Sequence, residues 1–257
     1  GCSAEFTGEA GPLTVPTLGR LIGVGTGPGD PELLTVKAVK AIQNADVLAW
    51  FAKKGRRGNG RGIVDGLVPD STIQLPLYYP VTTEIHRAET DYIDQLTGFY
   101  EESAKAVAEH LEAGRSVAVL SEGDPLFYGS YMHLHVRLAH RFPTEVIPGV
   151  TAMSGCWSQA GIPIVQGDDV LSVLPGTMNE DQLVRRLKDT EAAVIMKVGR
   201  NLPKIRRALA EAGRINQAFY VERGTMANTT MTPLADKSDD EAPYFSIVLV
   251  PGWKTKP

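Results

Sequence analysis

Three glycine-containing segments each follow a short apolar run, and their residue types suit the binding of a small ligand. They are residues 23–35 (GVGTGPGDPELLT), 121–130 (SEGDPLFYGS) and 148–155 (PGVTAMSG). In open parallel sheets, ligands bind just outside the carboxyl ends of the strands. Glycine has no Cβ, so a ligand or another backbone can approach it closely. The three segments therefore predict one binding cleft that is built from strand ends.

The first segment does not match the glycine pattern of dinucleotide-binding proteins. Counting from Gly23, the sixth position is Pro28, and counting from Gly25 it is Asp30. The Gly-Lys-Ser/Thr sequence of P-loop proteins is also missing from the sequence. An enzyme that depends on a nicotinamide or a nucleoside triphosphate is therefore disfavoured.

Residues 53–62 (KKGRRGNGRG) form the most basic part of the chain and contain four glycines. One interpretation is a solvated surface loop. The other is a mobile clamp for an anionic ligand, because arginine pairs bidentately with carboxylates. The candidate contacts of such a clamp are Lys54, Arg56, Arg57 and Arg61.

Three further residues are candidates for contact with a substrate. Tyr78 lies between Pro76 and Pro80 after a short third strand, and this stiff aromatic stretch suits either a core or a flat macrocycle. Arg200 and Arg223 each stand beside a glycine and could meet a carboxylate.

The histidines and cysteines do not predict a metal site. His133 and His135 are two positions apart on a predicted helix, so they do not share a face, whereas metal ligands must converge. Cys156 lies among small and apolar residues with no charge nearby to lower its pKa, which favours a buried inert thiol over a nucleophile.

The composition of the 257 residues is that of an ordinary globular protein, with 43% hydrophobic and 22% charged residues. The net charge of −4 argues against a general affinity for nucleic acid. No apolar run approaches the ~20 residues that span a bilayer. Residues 1–17 lack the cationic start and apolar block of a secretory signal. They predict a flexible extension, native or vector-derived, on a cytoplasmic protein.

Apolar runs and helical periodicity alternate along residues 18–147, which predicts an N-terminal α/β domain. The predicted strands are residues 20–25, 46–51, one before 75, 116–120 and 144–147. A helix is predicted to start at Asp30 with Pro31 in its first turn. Others are predicted over residues 92–111 and 131–141.

Residues 148–257 repeat the alternation and predict a C-terminal α/β domain, with the boundary near Pro148. Helices are predicted over residues 151–160, 181–188 and 202–211. Strands are predicted over residues 170–174, 192–197, 217–221 and 245–250, with a hairpin-like segment over 229–234.

Taken together and in this order, the three glycine-containing segments resemble the tetrapyrrole methylase superfamily, which uses S-adenosylmethionine. The resemblance covers roughly residues 18–251, and residues 117–132, 148–157 and 195–200 resemble its cobalamin-pathway members. It implies two α/β domains with the cofactor in the cleft between them, a fold that differs from the Rossmann methyltransferases. It also implies a homodimer.

The resemblance further implies the residues that line the cofactor. They are Pro28, Glu122, Gly123, Asp124, Phe127, Thr151, Ala152 and Met196. Asp124 would contact the amino-acid end of the cofactor, or else cap the next helix. Backbone amides at Thr151 would bind the anionic end. Met196 would contact adenosine, although a methionine at a strand end is usually a core residue.

The implied reaction moves a methyl group from a sulfonium to a macrocycle carbon, and positioning can supply most of the barrier reduction. The donor is already positively charged, so no metal is required. A base is needed only to remove the displaced proton. Asp30 is a weak candidate for that base, and the preferred interpretation is a helix cap. The carboxylates of the macrocycle would meet the arginines.

Three alternatives compete with the interpretation as a methyltransferase that acts on one particular carbon of a corrinoid. The first is another corrinoid methyltransferase with a different target carbon or a cobalt-containing substrate. The second is an RNA or protein methyltransferase of the same fold, and the acidic charge balance disfavours RNA. The third is a non-catalytic tetrapyrrole-binding module, which a fold alone does not distinguish from an enzyme.

Overall fold

The computed structural model describes residues 16–80, 90–222, 224–243 and 246–252. Two β-sheets with helices packed against them make up this part of the chain. Most of the predicted N-terminal extension, residues 1–15, lies outside the described residues. The prediction of an α/β fold is confirmed.

The first sheet is parallel throughout and lies in the first half of the chain. Its strands are β1 (Leu21–Gly25), β2 (Val47–Lys53), β3 (Ile73–Tyr79), β4 (Val117–Ser121) and β5 (Thr144–Ile147). They are arranged in the order β3-β2-β4-β1-β5. Gly25 is in register with Ser121, and Val24 with Ile147. The carboxyl ends of β1, β4 and β5 therefore meet at one edge of the sheet, as predicted.

Helices cover both faces of the first sheet. They are α1 (Val36–Asn44), α2 (Asn59–Ile63), α3 (Thr90–Glu112) and α4 (Tyr131–Leu138). One face packs Leu21 and Val119 against Val107 and Leu111 of α3 and Leu134 of α4, all at least 98% buried. The other face packs Val24 and Leu48 against α1. Burial on both faces explains why the strands are continuous apolar runs.

The segment after Asp30 differs from its prediction. Instead of one helix that starts at Asp30, a short 3-10 turn over Pro31–Leu33 precedes α1. Leu34 is extended, and Thr35 caps α1 by accepting a hydrogen bond from the Ala38 amide over 3.0 Å. The sequence holds two good capping residues five positions apart, and each begins its own helical segment.

The second sheet is mixed. Its strands are β6 (Leu171–Pro175), β7 (Ala192–Met196), β8 (Phe219–Glu222), β9 (Thr230–Pro233) and β10 (Ser246–Val250), in the order β6-β7-β10-β8-β9. Only the β6–β7 pair is parallel among these described pairings. The helices of this half are α5 (Ala152–Ala160), α6 (Glu180–Lys188) and α7 (Leu202–Glu211).

Each face of the second sheet has its own core. On one face, Leu183 and Leu187 of α6 and Ile205 of α7 pack against Ile195 and Val248. On the other face, α5 packs against β7, β8 and β10. The packing of α5 on the second sheet agrees with a domain boundary near Pro148, which stays a prediction.

Candidate active site

The first two glycine-containing loops pair with each other through their backbones. The Gly123 amide donates to the carbonyl of Gly27 over 2.9 Å, and the Gly27 amide donates back to Gly123 over 3.3 Å. The Thr26 amide donates to the Ser121 carbonyl over 2.9 Å. The Thr26 bond continues from the parallel β1–β4 pairing, and Gly27 and Gly123 form an antiparallel bridge just beyond it, so the two loops are fixed relative to each other.

The third loop packs against the first two at glycines. A Cβ built on Gly149 would lie 2.1 Å from the carbonyl oxygen of Gly123. A Cβ built on Gly25 would lie 2.6 Å from the Gly149 amide nitrogen. Gly25 and Gly149 can therefore approach each other and the Gly123 backbone only because neither carries a side chain, and we call these three residues the glycine contact.

Gly123 also needs glycine for its own conformation. Its φ of +62° is in the left-handed region, where other residues are strained. A Cβ there would lie 3.6 Å from the Ala152 amide nitrogen and 3.7 Å from the Thr151 Cα, which is ordinary packing distance. The residue was predicted as a glycine for close approach of a ligand, and the structure adds this conformational reason.

Asp124 ties the second loop to the third. Its Oδ1 accepts from the Gly149 amide and its Oδ2 from the Leu126 amide, each over 3.0 Å. The alternative interpretation of Asp124 as a cap for the next helix needs correction, because α4 begins only after Ser130. The carboxylate instead stabilises the tight turn that includes Phe127. Its contact with a cofactor stays a prediction.

The first loop is joined to the start of α5. Thr151 caps α5 by accepting from the Ser154 amide over 3.3 Å, which confirms that a helix starts there. A Cβ built on Gly155 would lie 2.8 Å from Cγ of Pro28. The structure therefore brings the predicted residues Pro28, Gly123, Thr151 and Ala152 together at the contact of the two halves.

Asp30 acts as a cap, as preferred in the sequence analysis. Its Oδ1 accepts from the Glu32 amide over 2.9 Å. Its own amide donates to Oγ1 of Thr225 over 3.0 Å, which links the first loop to the turn after β8. This second link was not predicted, since nothing local in the sequence couples positions so far apart.

Met196 ends β7 and is half-buried. Together with Ala152 it packs against the buried cluster between α5 and the second sheet. The interpretation of Met196 as a core residue fits this packing, and its contact with adenosine stays a prediction.

Two residues that were not predicted as site residues contact each other next to Met196. Tyr128 and Lys197 both adopt positive φ, 53° and 55°, and Nζ of Lys197 lies 4.8 Å from the centroid of the Tyr128 ring. The Phe127 ring packs edge-on against the same tyrosine. Non-glycine residues in this conformation cost of order 1–3 kcal/mol each and cluster at ligand sites. No sequence pattern marks them.

Glu122 is the most perturbed acid in the site. Its side chain is exposed to solvent by accessible surface, although many protein atoms lie around it. The protein atoms around it raise the pKa of its carboxyl to about 7, and the nearby polar groups of Gly60 and Asn59 oppose that rise.

The cationic segment, residues 53–58, follows β2 at the same edge of the sheet. The end of the segment packs closely on β2, because a Cβ on Gly58 would lie 2.9 Å from the Phe51 carbonyl oxygen. The φ of Gly58, +83°, also favours glycine there. The Arg56 amide donates to the Lys53 carbonyl over 2.9 Å. Lys54 and Arg56 are exposed at its tip, and Arg57 is exposed and paired with Asp65.

The prediction that Arg61 belongs to a mobile clamp needs correction. Arg61 lies on α2 and is only 6% exposed. Its guanidinium lies 5.4 Å from the centroid of the Trp50 ring and 2.9 Å from Oδ1 of Asp65, and it donates to Gln74. Trp50 and Gln74 are remote in sequence, so the burial was not visible beforehand. Arg61 anchors α2 to the sheet.

The remaining substrate candidates lie at different places. Tyr78 is 46% exposed on β3, the edge strand where Pro76 is tolerated. Arg200 is exposed in the turn between β7 and α7. Arg223 lies outside the described residues. The exposed positive charges thus border the carboxyl edge of β2 and the end of β7.

Residues 16–80, 90–222, 224–243 and 246–252 hold no cluster of three or more His, Cys, Asp or Glu side chains arranged to bind a metal ion. Among the helices in those ranges, none is long and apolar enough to cross a membrane.

Comparisons with known proteins agree with this architecture. The chain is 76% identical over 93% of its length to a precorrin-2 C(20)-methyltransferase from Sinorhizobium sp, covering 98% of that protein. It is 28% identical over 90% of its length to the cobalt-precorrin-2 C(20)-methyltransferase of Salmonella typhimurium, covering 96% of it. The structure of uroporphyrin-III C-methyltransferase from Thermus thermophilus, complexed with S-adenosyl homocysteine, superposes with a TM-score of 0.63 at 22% identity, over 91% of this chain and 92% of that one.

The family model for tetrapyrrole (corrin/porphyrin) methylases matches residues 20–237, which include the three loops, both sheets up to β9 and the cationic segment. The chain belongs to the tetrapyrrole (corrin/porphyrin) methylase family.

Proposed function

We propose that this protein transfers a methyl group from S-adenosylmethionine to C20 of precorrin-2, which gives precorrin-3A in cobalamin biosynthesis. The observation that carries the proposal is the 76% identity, over nearly the whole chain, to a precorrin-2 C(20)-methyltransferase. The glycine contact and the capped start of α5 support it, because they form a fixed backbone cradle where the two halves meet.

The residues at this cradle fit S-adenosylmethionine. The start of α5 offers backbone N–H groups and a positive helix end to a carboxylate. The half-buried side chains of Phe127 and Met196 offer apolar surface for an adenosine. When bound, the cofactor supplies a methyl carbon that its sulfonium already activates.

The protein's part in the reaction is mainly positional. The glycine contact and Asp124 hold the three loops in one arrangement, so a donor and an acceptor carbon can be kept in line. The electron pair of C20 forms the new bond as the bond from methyl carbon to sulfur breaks, and C20 then loses its proton. Asp30 stays the weak candidate for accepting that proton, with Oδ2 as the atom that its cap does not use.

The substrate carries many carboxylates, and exposed cations border the cleft. Lys54, Arg56 and Arg57 of the cationic segment and Arg200 after β7 are the proposed partners. Arg57 would exchange its exposed pairing with Asp65 for a substrate carboxylate, at small cost because exposed ion pairs contribute little. Tyr78 would pack against the ring.

The deciding experiment uses S-adenosylmethionine with a labelled methyl carbon and metal-free precorrin-2. The expected product has gained one methyl group by mass spectrometry, with the label at C20 by NMR. Calorimetry should show S-adenosyl homocysteine binding at one site per chain. A label at another carbon, or saturable binding without turnover, would contradict the proposal in favour of a different corrinoid methyltransferase or a non-catalytic module.

A cobalt-containing substrate is the second candidate, because the Salmonella relative carries that name. Parallel assays with metal-free and cobalt-loaded precorrin-2 separate the two, and we expect the larger kcat/KM for the metal-free compound, given the far higher identity to the Sinorhizobium enzyme.

We further propose a cytoplasmic homodimer, as the family resemblance implies. Light scattering at micromolar concentration should give twice the chain mass, and a monomer mass would overturn this part of the proposal.

A further inference from the structure

The β8–β9 turn, residues 224–229, contacts the first loop and α5 at the same time. The Asp30 amide donates to Oγ1 of Thr225 over 3.0 Å. A Cβ built on Gly155 of α5 would lie 3.1 Å from Cγ2 of the same threonine. Thr225 therefore joins the two elements, with its hydroxyl oxygen on the first loop and its methyl group on α5.

The end of the first loop is confined by both of these elements. Pro28 packs on Gly155, where a Cβ would lie 2.8 Å from Cγ of the proline. The next residue, Gly29, packs on Met226 of the β8–β9 turn, where a Cβ would lie 2.7 Å from Cγ of the methionine. Asp30 then uses its amide, its carbonyl and one carboxylate oxygen in hydrogen bonds. The second half of the chain thus fixes this part of the first loop through α5 and through the β8–β9 turn.

The β8–β9 turn is itself held in place. Oγ1 of Thr229 lies 2.7 Å from the carbonyl oxygen of Gly224 and 2.6 Å from that of Met226, so its hydroxyl proton is shared between the two. A Cβ built on Gly224 would lie 3.1 Å from Sγ of the buried Cys156 on α5. Because its own threonine and the core beside α5 fix the turn, the turn can fix the loop that packs on it.

We infer that Thr225 is a positioning residue for the first loop: its hydroxyl oxygen holds Asp30, and with it Pro28, in the arrangement that binds S-adenosylmethionine. This inference rests on the proposed function, which supplies the cofactor. The hydrogen bond joins residues 195 positions apart, from the two halves of the chain. When a loop spends only a fraction of its time in the binding arrangement, the apparent affinity falls by that fraction. Thr225 therefore acts on the affinity for the cofactor through Asp30 and Pro28.

The binding test compares the parent protein with Thr225→Val, which keeps the shape of the side chain and removes the acceptor. We expect Kd for S-adenosyl homocysteine, measured by calorimetry, to rise about threefold, or ~0.6 kcal/mol, which is within the range of a single hydrogen bond. Thr225→Ser keeps the hydroxyl and should restore the parent Kd. Thr230→Val, a matched change at an exposed position of β9, should bind as the parent does.

A ligand-free signal and a second variant separate positioning from a general loss of stability. Hydrogen exchange of the Asp30 amide should be faster in Thr225→Val than in the parent and in Thr225→Ser, because the hydrogen bond protects that amide. Thr229→Val leaves Thr225 in place and loosens the β8–β9 turn, so it should raise the same Kd. Its effect should combine with that of Thr225→Val less than additively.

Three results would overturn the inference: an unchanged Kd in Thr225→Val despite a lower unfolding free energy, an equal rise of Kd in Thr225→Ser, or an Asp30 amide that exchanges equally fast in the parent and in Thr225→Val. Failure of the proposed function looks different, because the parent would then bind S-adenosyl homocysteine without methylating C20, while Kd still reports on the Thr225 variants.

Discussion

The loops that follow β1, β4 and β5 and the cationic segment that follows β2 leave the same edge of the same sheet, yet they are built differently. The loops touch through bare backbone at the glycine contact, where a methyl group added to Gly25 or Gly149 would overlap a neighbouring peptide. In the cationic segment, Gly58 packs against β2, whereas the charged side chains are exposed to solvent.

The difference matches the ligand that we propose for each region. A fixed backbone cradle suits a small ligand that is held in one pose, and it leaves little freedom to the sequence. Long exposed cations suit a large ring with many carboxylates, because they can adapt to each of them. We therefore expect substitutions in the loops to act on folding and cofactor binding together, and those in the cationic segment to act on substrate alone.

The largest effect is expected for Gly149→Ala. Its Cβ would lie 2.1 Å from a backbone oxygen, which no rotamer change can relieve. We expect a loss of about 3 kcal/mol in unfolding free energy, the upper end for overpacking, together with loss of cofactor binding. Urea denaturation measures the unfolding free energy, and calorimetry measures the binding of the cofactor.

Gly98→Ala is the matched control, because its Cβ on α3 meets nothing within 4 Å. Removing a helical glycine there should stabilise the protein by about 0.5–1 kcal/mol. Equal stability of the two variants would contradict the tight glycine contact.

A smaller effect is expected for Gly123→Ala, where space is available and only the φ of +62° is unfavourable. The left-handed conformation should cost about 1–2 kcal/mol of stability. Gly123→Asn should lose less than the alanine variant, since asparagine tolerates this conformation better. A greater loss of stability for Gly123→Asn would point instead to a steric clash with the neighbouring third loop.

In the cationic segment, Arg56→Ala combined with Arg57→Ala should raise KM for precorrin-2 about fivefold, or ~1 kcal/mol, and leave the affinity for the cofactor unchanged. The effect should shrink at high salt, where exposed charges are screened. Arg185→Ala with Arg186→Ala, on the exposed face of α6, removes the same charge as a control. Weakened cofactor binding in the Arg56→Ala, Arg57→Ala variant would show that the cationic segment also acts on the cofactor, which contradicts the expected difference between the two regions.

The smallest effect is expected at Glu122, because its side chain is exposed and solvent screens much of the influence of the surrounding protein. Because its folded pKa of about 7 is raised from 4.5, ionising it costs stability, and that cost grows as the pH rises from about 4.5 to about 7. The Tm of Glu122→Gln relative to the parent should therefore increase between pH 5 and pH 8. A constant difference in thermal melts over that range would show that the carboxyl titrates normally.

The elements were predictable from the sequence because their signals are local. Buried parallel strands such as β4 are short apolar runs, and the periodicity of α3 is regular over its length. The capping role of Asp30 and the helix start at Thr151 also follow from neighbouring residues.

The details of the site were harder to predict because they depend on contacts between distant segments. Asp124 bonds to Gly149, Arg61 packs on Trp50, and neither pairing leaves a trace in spacing. The raised pKa of Glu122 arises from the protein that folds around it. The left-handed Tyr128 has no sequence signal, since tyrosine carries no preference for that conformation.

The glycine contact has a consequence for the order of events during folding. Its three members come from strands that are far apart in the chain, and β1 lies between the two strands that complete it. Contacts of such long sequence separation form late, because loop closure must come first. During synthesis, β1 lacks both of its neighbouring strands until β4 and then β5 emerge, so the glycine contact can form only after most of the first sheet has been made.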